Sequence, residues 1–122
     1  KIVVPHGGGA IPYQFARYRG IALRDGFEPF DEFIKKIYFD TAVYDQRAME
    51  LLIEVAGVDN VMFASEMIGA VNVIDPLTGD WFDNTKPLID AIEWLTDEDR
   101  AKLFEGNTRR VYPHVNKILD KK

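Results

Sequence analysis

The sequence contains no cysteine, and this absence excludes disulfide bonds and thiolate metal ligands alike. Lysine and arginine never occur in runs longer than two, and the formal net charge is −5. Because nucleic-acid binding needs a basic face, we expect no nucleic-acid partner. No apolar stretch approaches the roughly 18–20 residues that cross a bilayer, and no signal-peptide pattern opens the chain. We therefore expect a cytoplasmic protein that does not enter a membrane.

Apolar side chains, by contrast, are plentiful. They make up 47% of the 122 residues and include eight Phe and two Trp. This content is sufficient for a packed core and argues against a disordered chain. The length fits one ordinary domain of roughly 100–150 residues.

Three short apolar runs, at residues 2–4, 37–39 and 61–64, alternate with segments of helical period. Each run is β-branched or aromatic and too short for a helix, which predicts buried parallel strands. Residues 11–23 are predicted to be helical. After Asp45, the apolar residues recur at i, i+3, i+4 and i+7, which predicts an amphipathic helix ending near residue 57. Its predicted core face comprises Ala48, Leu51, Leu52 and Val55.

The last third of the sequence carries helix signals. Asn84 is a candidate cap for a helix that follows it, and Thr96 with Asp99 predicts a capping box for a helix over residues 97–104. Gly106 then predicts the end of that helix, and Asn107 the cap of a final one that Pro113 breaks.

The repeated strand–helix order predicts an α/β fold with parallel strands joined by right-handed crossovers. Three such units make a poor free-standing fold, and a (β/α)8 barrel needs roughly 250 residues. We therefore expect residues 1–122 to be the C-terminal segment of a single TIM-barrel domain, with three βα units followed by extra helices. A small three-layer α/β domain is the alternative.

Polar side chains follow each predicted strand. These are His6 after the first, Asp40 and Thr41 after the second, and Ser65 and Glu66 after the third. Because parallel strands end at the same edge of a sheet, we expect His6, Asp40 and Glu66 to lie together there. A His and a carboxylate on neighbouring strand ends suit a metal site or an acid–base pair. The alternative is that both only cap loops.

The glycine run at residues 7–9 follows directly after His6. It lacks the Lys-Ser/Thr of a phosphate-binding loop and the G-x-G-x-x-G pattern. We therefore expect a steric role, in which glycine lets the backbone approach a neighbouring group closely.

Three segments carry a family resemblance: residues 5–13 (PHGGGAIPY), 59–66 (DNVMFASE) and 106–111 (GNTRRV). In order and spacing they resemble the sixth strand, the eighth strand and the closing helix of the amidohydrolase-2 family, which includes aminocarboxymuconate semialdehyde decarboxylase. Most of that family ends the eighth strand with Asp, a metal ligand, where this chain has Glu66. Glu66 and the loop of residues 67–83 resemble the branch that hydrates 4-oxalomesaconate.

The resemblance implies a metal-dependent hydratase that adds water to a C=C bond of an unsaturated oxo-tricarboxylate, in the degradation of protocatechuate or gallate. A related decarboxylase or hydrolase, or a truncated chain without catalysis, are the alternatives. In the implied site, Glu66 ligates or borders one Zn2+ and handles a proton of the attacking water. His6, which is not a ligand, stabilises developing charge or relays a proton. The remaining metal ligands are absent from this chain, which alone is expected to be inactive.

The resemblance also assigns a role to Arg17. It matches a family arginine that reaches the site of the neighbouring subunit in the decarboxylases and binds a substrate carboxylate. This implies a small-molecule polycarboxylate substrate and a homo-oligomer, namely a dimer.

Overall fold

The computed structural model describes residues 1–67 and 69–121, so that Ile68, in the predicted loop of residues 67–83, and Lys122 lie outside the described residues. Strands β1 (Ile2–Val4), β2 (Ile37–Asp40) and β3 (Val61–Met62) form one parallel sheet in the order β1-β2-β3. The three predicted parallel strands are therefore confirmed. The third is two residues shorter than predicted, because the N–H of Phe63 donates to the carbonyl of Leu103 and not to a neighbouring strand.

Helices connect and follow the strands. They are α1 (Phe15–Asp25), α2 (Phe30–Phe33), α3 (Gln46–Ala56), α4 (Lys86–Asp90), α5 (Asp97–Ala101), α6 (Asn107–Val111) and α7 (Asn116–Leu119). Short 3₁₀ turns lie at His6–Gly8, Ile34–Lys36, Val58–Asn60 and Pro113–Val115. In the part of the chain that the structure describes, no helix combines the length and apolarity of a membrane span.

Helix α3 shows how local signals and packing combine. The carboxylate of Asp45 accepts the N–H groups of Arg47 and Ala48, which caps the helix. The buried face, however, consists of Met49, Leu52, Ile53 and Ala56, whereas Ala48 is exposed. The predicted face was wrong by one residue. Residues 48–56 are apolar at seven of nine positions, so two overlapping stripes fit the helical period, and only the sheet decides which is buried.

One hydrophobic core lies between the sheet and the helices. Its residues less than 2% exposed are Phe39, Met49, Leu52, Ile53, Val61, Ile89, Ile92 and Leu103. They come from β2, α3, β3 and the chain between the start of α4 and the end of α6, so the C-terminal segment is part of the same packed unit as the sheet.

Two predicted helix boundaries are wrong for a common reason. The capping box of Thr96 and Asp99 is confirmed, but the helix does not end at Gly106, whose φ of −58° is helical. Asn107 is buried, and its side-chain amide donates to the carbonyls of Val58 and Val61, at 2.7 Å each. A tertiary contact with the start of β3 thus replaces the predicted cap.

A π-helical turn, Lys102–Gly106, joins α5 to α6. Such turns hold one more residue than an α-helical turn and are rare. Here the carbonyl of Leu103 accepts the N–H of Phe63, at 2.8 Å, directly after β3. The turn therefore connects the C-terminal helices to the segment that leads from β3 to Glu66.

The remaining helix predictions are corrected in detail. Residues 11–14 form turns, and α1 begins at Phe15 and continues through Gly20. Asn84 does not cap α4, because its amide donates to Asp80 and Thr85 precedes the helix.

Candidate functional site

The residues predicted at the strand ends lie at one edge of the sheet. His6 follows β1 after Pro5, Asp40 is the last residue of β2, and Glu66 comes four residues after β3. The Nδ1 atom of His6 lies 3.9 Å from Oε1 of Glu66. The predicted proximity of His6 and Glu66 is confirmed. The side chain of Glu66 is 31% exposed and that of His6 is 62% exposed, so solvent or a ligand can reach both.

The turn that carries His6 is tied to the end of β2. Oδ1 of Asp40 accepts the N–H groups of Gly7, at 3.3 Å, and Ala42, at 3.1 Å. His6 itself has a φ of +54°, which is uncommon for a residue with a side chain. Asp40 therefore acts on the backbone, as an anchor for the turn.

Gly8 explains why the turn contains glycines. Its φ is +77°, and a Cβ at this position would lie 2.6 Å from the ring of Phe39, which is fully buried. A side chain would clash with the core. The steric role expected for the glycine run therefore agrees with the structure at this position.

Thr41 positions the segment that precedes Glu66. Its side chain is fully buried, and its hydroxyl donates to the carbonyl of Ala64, at 3.2 Å, and accepts the N–H of the same residue, at 3.0 Å. Its own N–H donates to the carbonyl of Met62. These bonds extend the pairing of β2 with the chain beyond β3, although the strand itself has ended.

The second oxygen of Glu66 contacts a residue that the sequence did not reveal. The hydroxyl of Tyr44, in the loop between β2 and α3, lies 2.8 Å from Oε2 of Glu66 and 2.8 Å from Oδ1 of Asp83. Asp83 is 1% exposed. Its carboxylate also accepts the backbone N–H groups of Gly69, Val71 and Asn72, at 3.1, 3.1 and 2.9 Å.

The environment fixes the protonation of Tyr44 and Asp83. Burial raises the pKa of Tyr44, and the adjacent carboxylates of Glu66 and Asp83 raise it further, so Tyr44 remains a hydrogen-bond donor. Burial acts to raise the pKa of Asp83 as well. The N–H groups of Asn72 and Val71, the Tyr44 hydroxyl and the N–H of Gly69 outweigh this effect, and the pKa of Asp83 is lowered. Asp83 is therefore an ionised acceptor at neutral pH.

Among the described residues, no hydrogen bond joins Arg17 to His6, Asp40 or Glu66. It lies on the exposed side of α1, and its guanidinium donates to Gln14 at 3.4 Å. A pocket of about 170 Å³ does adjoin His6. Val43, Ala48, Leu51 and Leu52 contribute apolar lining to it, so residues of the outer apolar stripe of α3 face this pocket.

A complete metal site is not formed by the described residues alone. Among them, no group of three or more His, Asp or Glu side chains is placed to hold a metal ion. A zinc site takes three or four protein ligands. His6 and Glu66 are too few to meet that requirement.

Comparisons with known proteins agree with one another. A family model described as amidohydrolase matches residues 1–114. The chain is 45% identical over 120 residues to 2-keto-4-carboxy-3-hexenedioate hydratase from Sphingobium sp. (strain NBRC 103272 / SYK-6), covering 98% of this chain and 35% of the hydratase. Its fold matches that of 4-oxalomesaconate hydratase from Rhodopseudomonas palustris with a TM-score of 0.90 and 49% identity, over 98% of this chain and 37% of the other.

A more distant structure shares only the fold. IDCase from Metarhizium anisopliae, in its apo form, matches with a TM-score of 0.65 and 22% identity, over 91% of this chain and 33% of the other. The chain spans about a third of the length of the relatives that it matches. Because the family model covers nearly all of its residues, the chain belongs to the amidohydrolase family.

Proposed function

We propose that this chain is part of a hydratase that adds water to a C=C bond of 4-oxalomesaconate or a closely similar unsaturated oxo-tricarboxylate. The observation that carries the proposal is the approach of His6 to Glu66, 3.9 Å apart at one sheet edge, in a chain 45–49% identical to two hydratases. A general acid–base pair is what a hydration reaction needs from side chains.

The proposed architecture is a (β/α)8 barrel in which residues 1–122 are the C-terminal segment. The parallel order β1-β2-β3 and the TM-score of 0.90 to a full hydratase support it. In such barrels the catalytic groups lie at the carboxyl ends of the strands, which is where His6 and Glu66 are found. Residues outside this chain would supply the other strands.

The reaction requires one proton to leave water and one to reach carbon. In the proposed step, the water oxygen forms a bond to one carbon of the C=C bond while Glu66 accepts its proton. The electron pair of the double bond moves toward the conjugated carbonyl, and His6 stabilises the charge that develops there or relays a proton. The proton that Glu66 accepted, or one relayed by His6, then forms a C–H bond with the electron pair at the adjacent carbon, so one water is added in full and no oxidant or reductant is needed. Each such proton transfer contributes about 10²–10⁴-fold to the rate.

The proposed cofactor is one zinc ion, with Glu66 as a ligand or close neighbour. Because the described residues do not form a complete zinc site, the other ligands would have to come from outside this chain. We also propose that Arg17 binds a substrate carboxylate of a neighbouring subunit in a dimer. Its exposure on α1 is compatible with a contact between subunits.

A graft tests the proposal. In it, this chain replaces the matched third of the Sphingobium hydratase, with which it aligns over 120 residues. The grafted enzyme is expected to consume 4-oxalomesaconate and give a product heavier by one water, whereas a decarboxylase would release CO2. Glu66→Gln should lower kcat about 10²–10⁴-fold. His6→Ala should lower kcat while bound zinc, measured by atomic emission, stays near its original content.

Two exposed residues provide matched controls. Glu93→Gln removes a carboxylate and His114→Ala removes the other histidine, both on the exposed surface. Both variants should turn over as the unmodified graft does. A folded graft that fails to hydrate the substrate would contradict the proposed function, as would full turnover by the Glu66→Gln variant. Loss of one zinc per site in the His6→Ala variant would make His6 a ligand.

A further inference from the structure

The hydroxyl of Tyr44 connects two carboxylates from separate parts of the chain. It lies 2.8 Å from Glu66, which follows β3, and 2.8 Å from Asp83, which precedes α4. A phenol has a single hydrogen, so it donates to only one of the two at a time. Tyr44 has no part in the proposed proton transfers, although its hydroxyl contacts the proposed base.

The other hydrogen-bond partners of the two carboxylates show which carboxylate depends on the Tyr44 hydrogen. Asp83 has three backbone N–H donors, so it remains satisfied when the Tyr44 hydrogen turns away. Oε2 of Glu66 has the Tyr44 hydroxyl as its hydrogen-bond partner among the described residues. The hydrogen of Tyr44 therefore alternates between the two carboxylates: when it is donated to Glu66 it orients that side chain, and when it is donated to Asp83 it holds the phenol beside the loop.

Asp83 also organises the loop beside the site. Its three backbone donors, Gly69, Val71 and Asn72, lie just after Glu66 in the sequence, 11 to 14 residues before Asp83. The carboxylate thus closes residues 69–83 into a loop whose two ends meet next to Tyr44. A buried charge with several backbone donors is a strong anchor, because losing it leaves those N–H groups unpaired.

We propose that Tyr44 is a positioning residue for Glu66 and that Asp83 couples this pair to the order of the loop formed by residues 69–83. The inference rests on the proposed function, because it assigns Tyr44 to the orientation of the proposed base. When the loop is ordered, Asp83 lies beside Tyr44 and keeps the phenol in place, and the phenol orients the carboxylate of Glu66 toward His6. The orientation of Glu66 then depends on the order of the loop.

The variant Tyr44→Phe keeps the ring and removes only the hydroxyl. In the grafted enzyme, kcat should fall about 10- to 100-fold, the range of one hydrogen bond to a charged group, while KM changes less than about twofold. Tyr38→Phe is the matched control: Tyr38 is half-buried on β2, and its hydroxyl makes no hydrogen bond within the described residues. The ¹³C shift of the Glu66 carboxyl carbon should move in the first variant and not in the second.

The variant Asp83→Asn tests the coupling. Amide exchange at Gly69, Val71 and Asn72, followed by mass spectrometry in the grafted enzyme, should speed up at least tenfold. Tyr44→Phe should leave that exchange nearly unchanged, because Asp83 keeps its backbone donors. The double variant should lose less kcat than the product of the single losses, since both act through Glu66.

The outcomes separate this inference from the proposed function. Impaired turnover in Glu66→Gln with normal kcat in Tyr44→Phe would overturn the positioning role and leave the function intact. If the amides of Gly69, Val71 and Asn72 exchange as slowly in Asp83→Asn as in the unmodified enzyme, the coupling is overturned. If the graft is folded but inactive, the exchange rates and the Glu66 carbon shift still decide whether Tyr44 and Asp83 behave as described, and an unmoved shift in Tyr44→Phe would refute the contact.

Discussion

The variant Gly8→Ala tests how tightly the turn that carries His6 packs against the core. Substitution by alanine adds one methyl group at a φ of +77°, where it would lie 2.6 Å from the ring of Phe39. A left-handed backbone costs an alanine about 1–2 kcal/mol. Phe39 is 0% exposed and lies within the packed core, so overpacking adds about 1–3 kcal/mol. Glycine loses more chain entropy on folding, and this offsets about 0.4–1 kcal/mol.

Gly26 is the control, because its φ is also positive, at +69°, and no heavy atom outside its chain neighbours lies within 4 Å of its added Cβ. A left-handed backbone and the entropy contribution enter both variants, whereas the contact with Phe39 enters only Gly8→Ala. Gly8→Ala should be less stable than Gly26→Ala by about 1–3 kcal/mol. With a urea slope of about 1–3 kcal/mol per molar, the midpoints should differ by about 0.3–3 M.

Urea unfolding of the grafted enzyme, followed by tryptophan fluorescence, measures the two midpoints. Turnover of the same enzyme provides a second readout, since displacement of the turn moves His6 away from Glu66. Gly8→Ala should lose kcat, whereas Gly26→Ala, at the end of α1, should not. Equal midpoints for the two variants would refute the packing of Gly8 against Phe39 and, with it, the rigid seating of His6.

Three further predictions follow from other contacts. Replacing the buried Asn107 by Leu should cost about 2–4 kcal/mol in urea unfolding, because it removes the hydrogen bonds to the carbonyls of Val58 and Val61, and among the described residues Val58 alone of the two keeps a second donor, the N–H of Val61; a loss below about 1 kcal/mol would contradict this. Because the pKa of Asp83 is lowered by folding, its stabilisation is complete above the ordinary Asp pKa of about 3.9 and is lost as the pH falls through the lower folded value. The free energy of unfolding of Asp83→Asn should therefore fall less steeply than that of the unmodified protein as the pH drops below about 5, and an equally steep fall would argue against the role of the Asp83 carboxylate. Finally, the 122-residue chain alone should show no turnover of 4-oxalomesaconate and only weak zinc binding in calorimetric titration, since no three described ligands converge; tight 1:1 binding with turnover would show that the site is complete.

Local chemistry predicted the parts of the fold that local chemistry controls. The capping box at Thr96 and the three strands depend on neighbours in sequence, and all are present. The strand-end rule brought His6 and Glu66 together because parallel strands share an edge.

What the sequence did not predict depends on contacts between distant segments. Asn107 resembles a helix cap, but its amide is used by carbonyls 46 and 49 residues away. Tyr44 lies four residues after the end of β2, so a wider window after each strand would have included it. Asp83 gives no local signal, because its donors lie 11–14 residues upstream and its other partner, Tyr44, lies 39 residues upstream.

The π-helical turn at Lys102–Gly106 has a consequence for changes in chain length. Each residue of an α-helix advances the chain by about 100° around the axis. Deleting one residue from the turn would convert it to regular helix, but everything after it would rotate by that angle. Asn107 would then point away from the carbonyls of Val58 and Val61. Related sequences should therefore vary freely in the exposed side chains of this segment while keeping its number of residues constant.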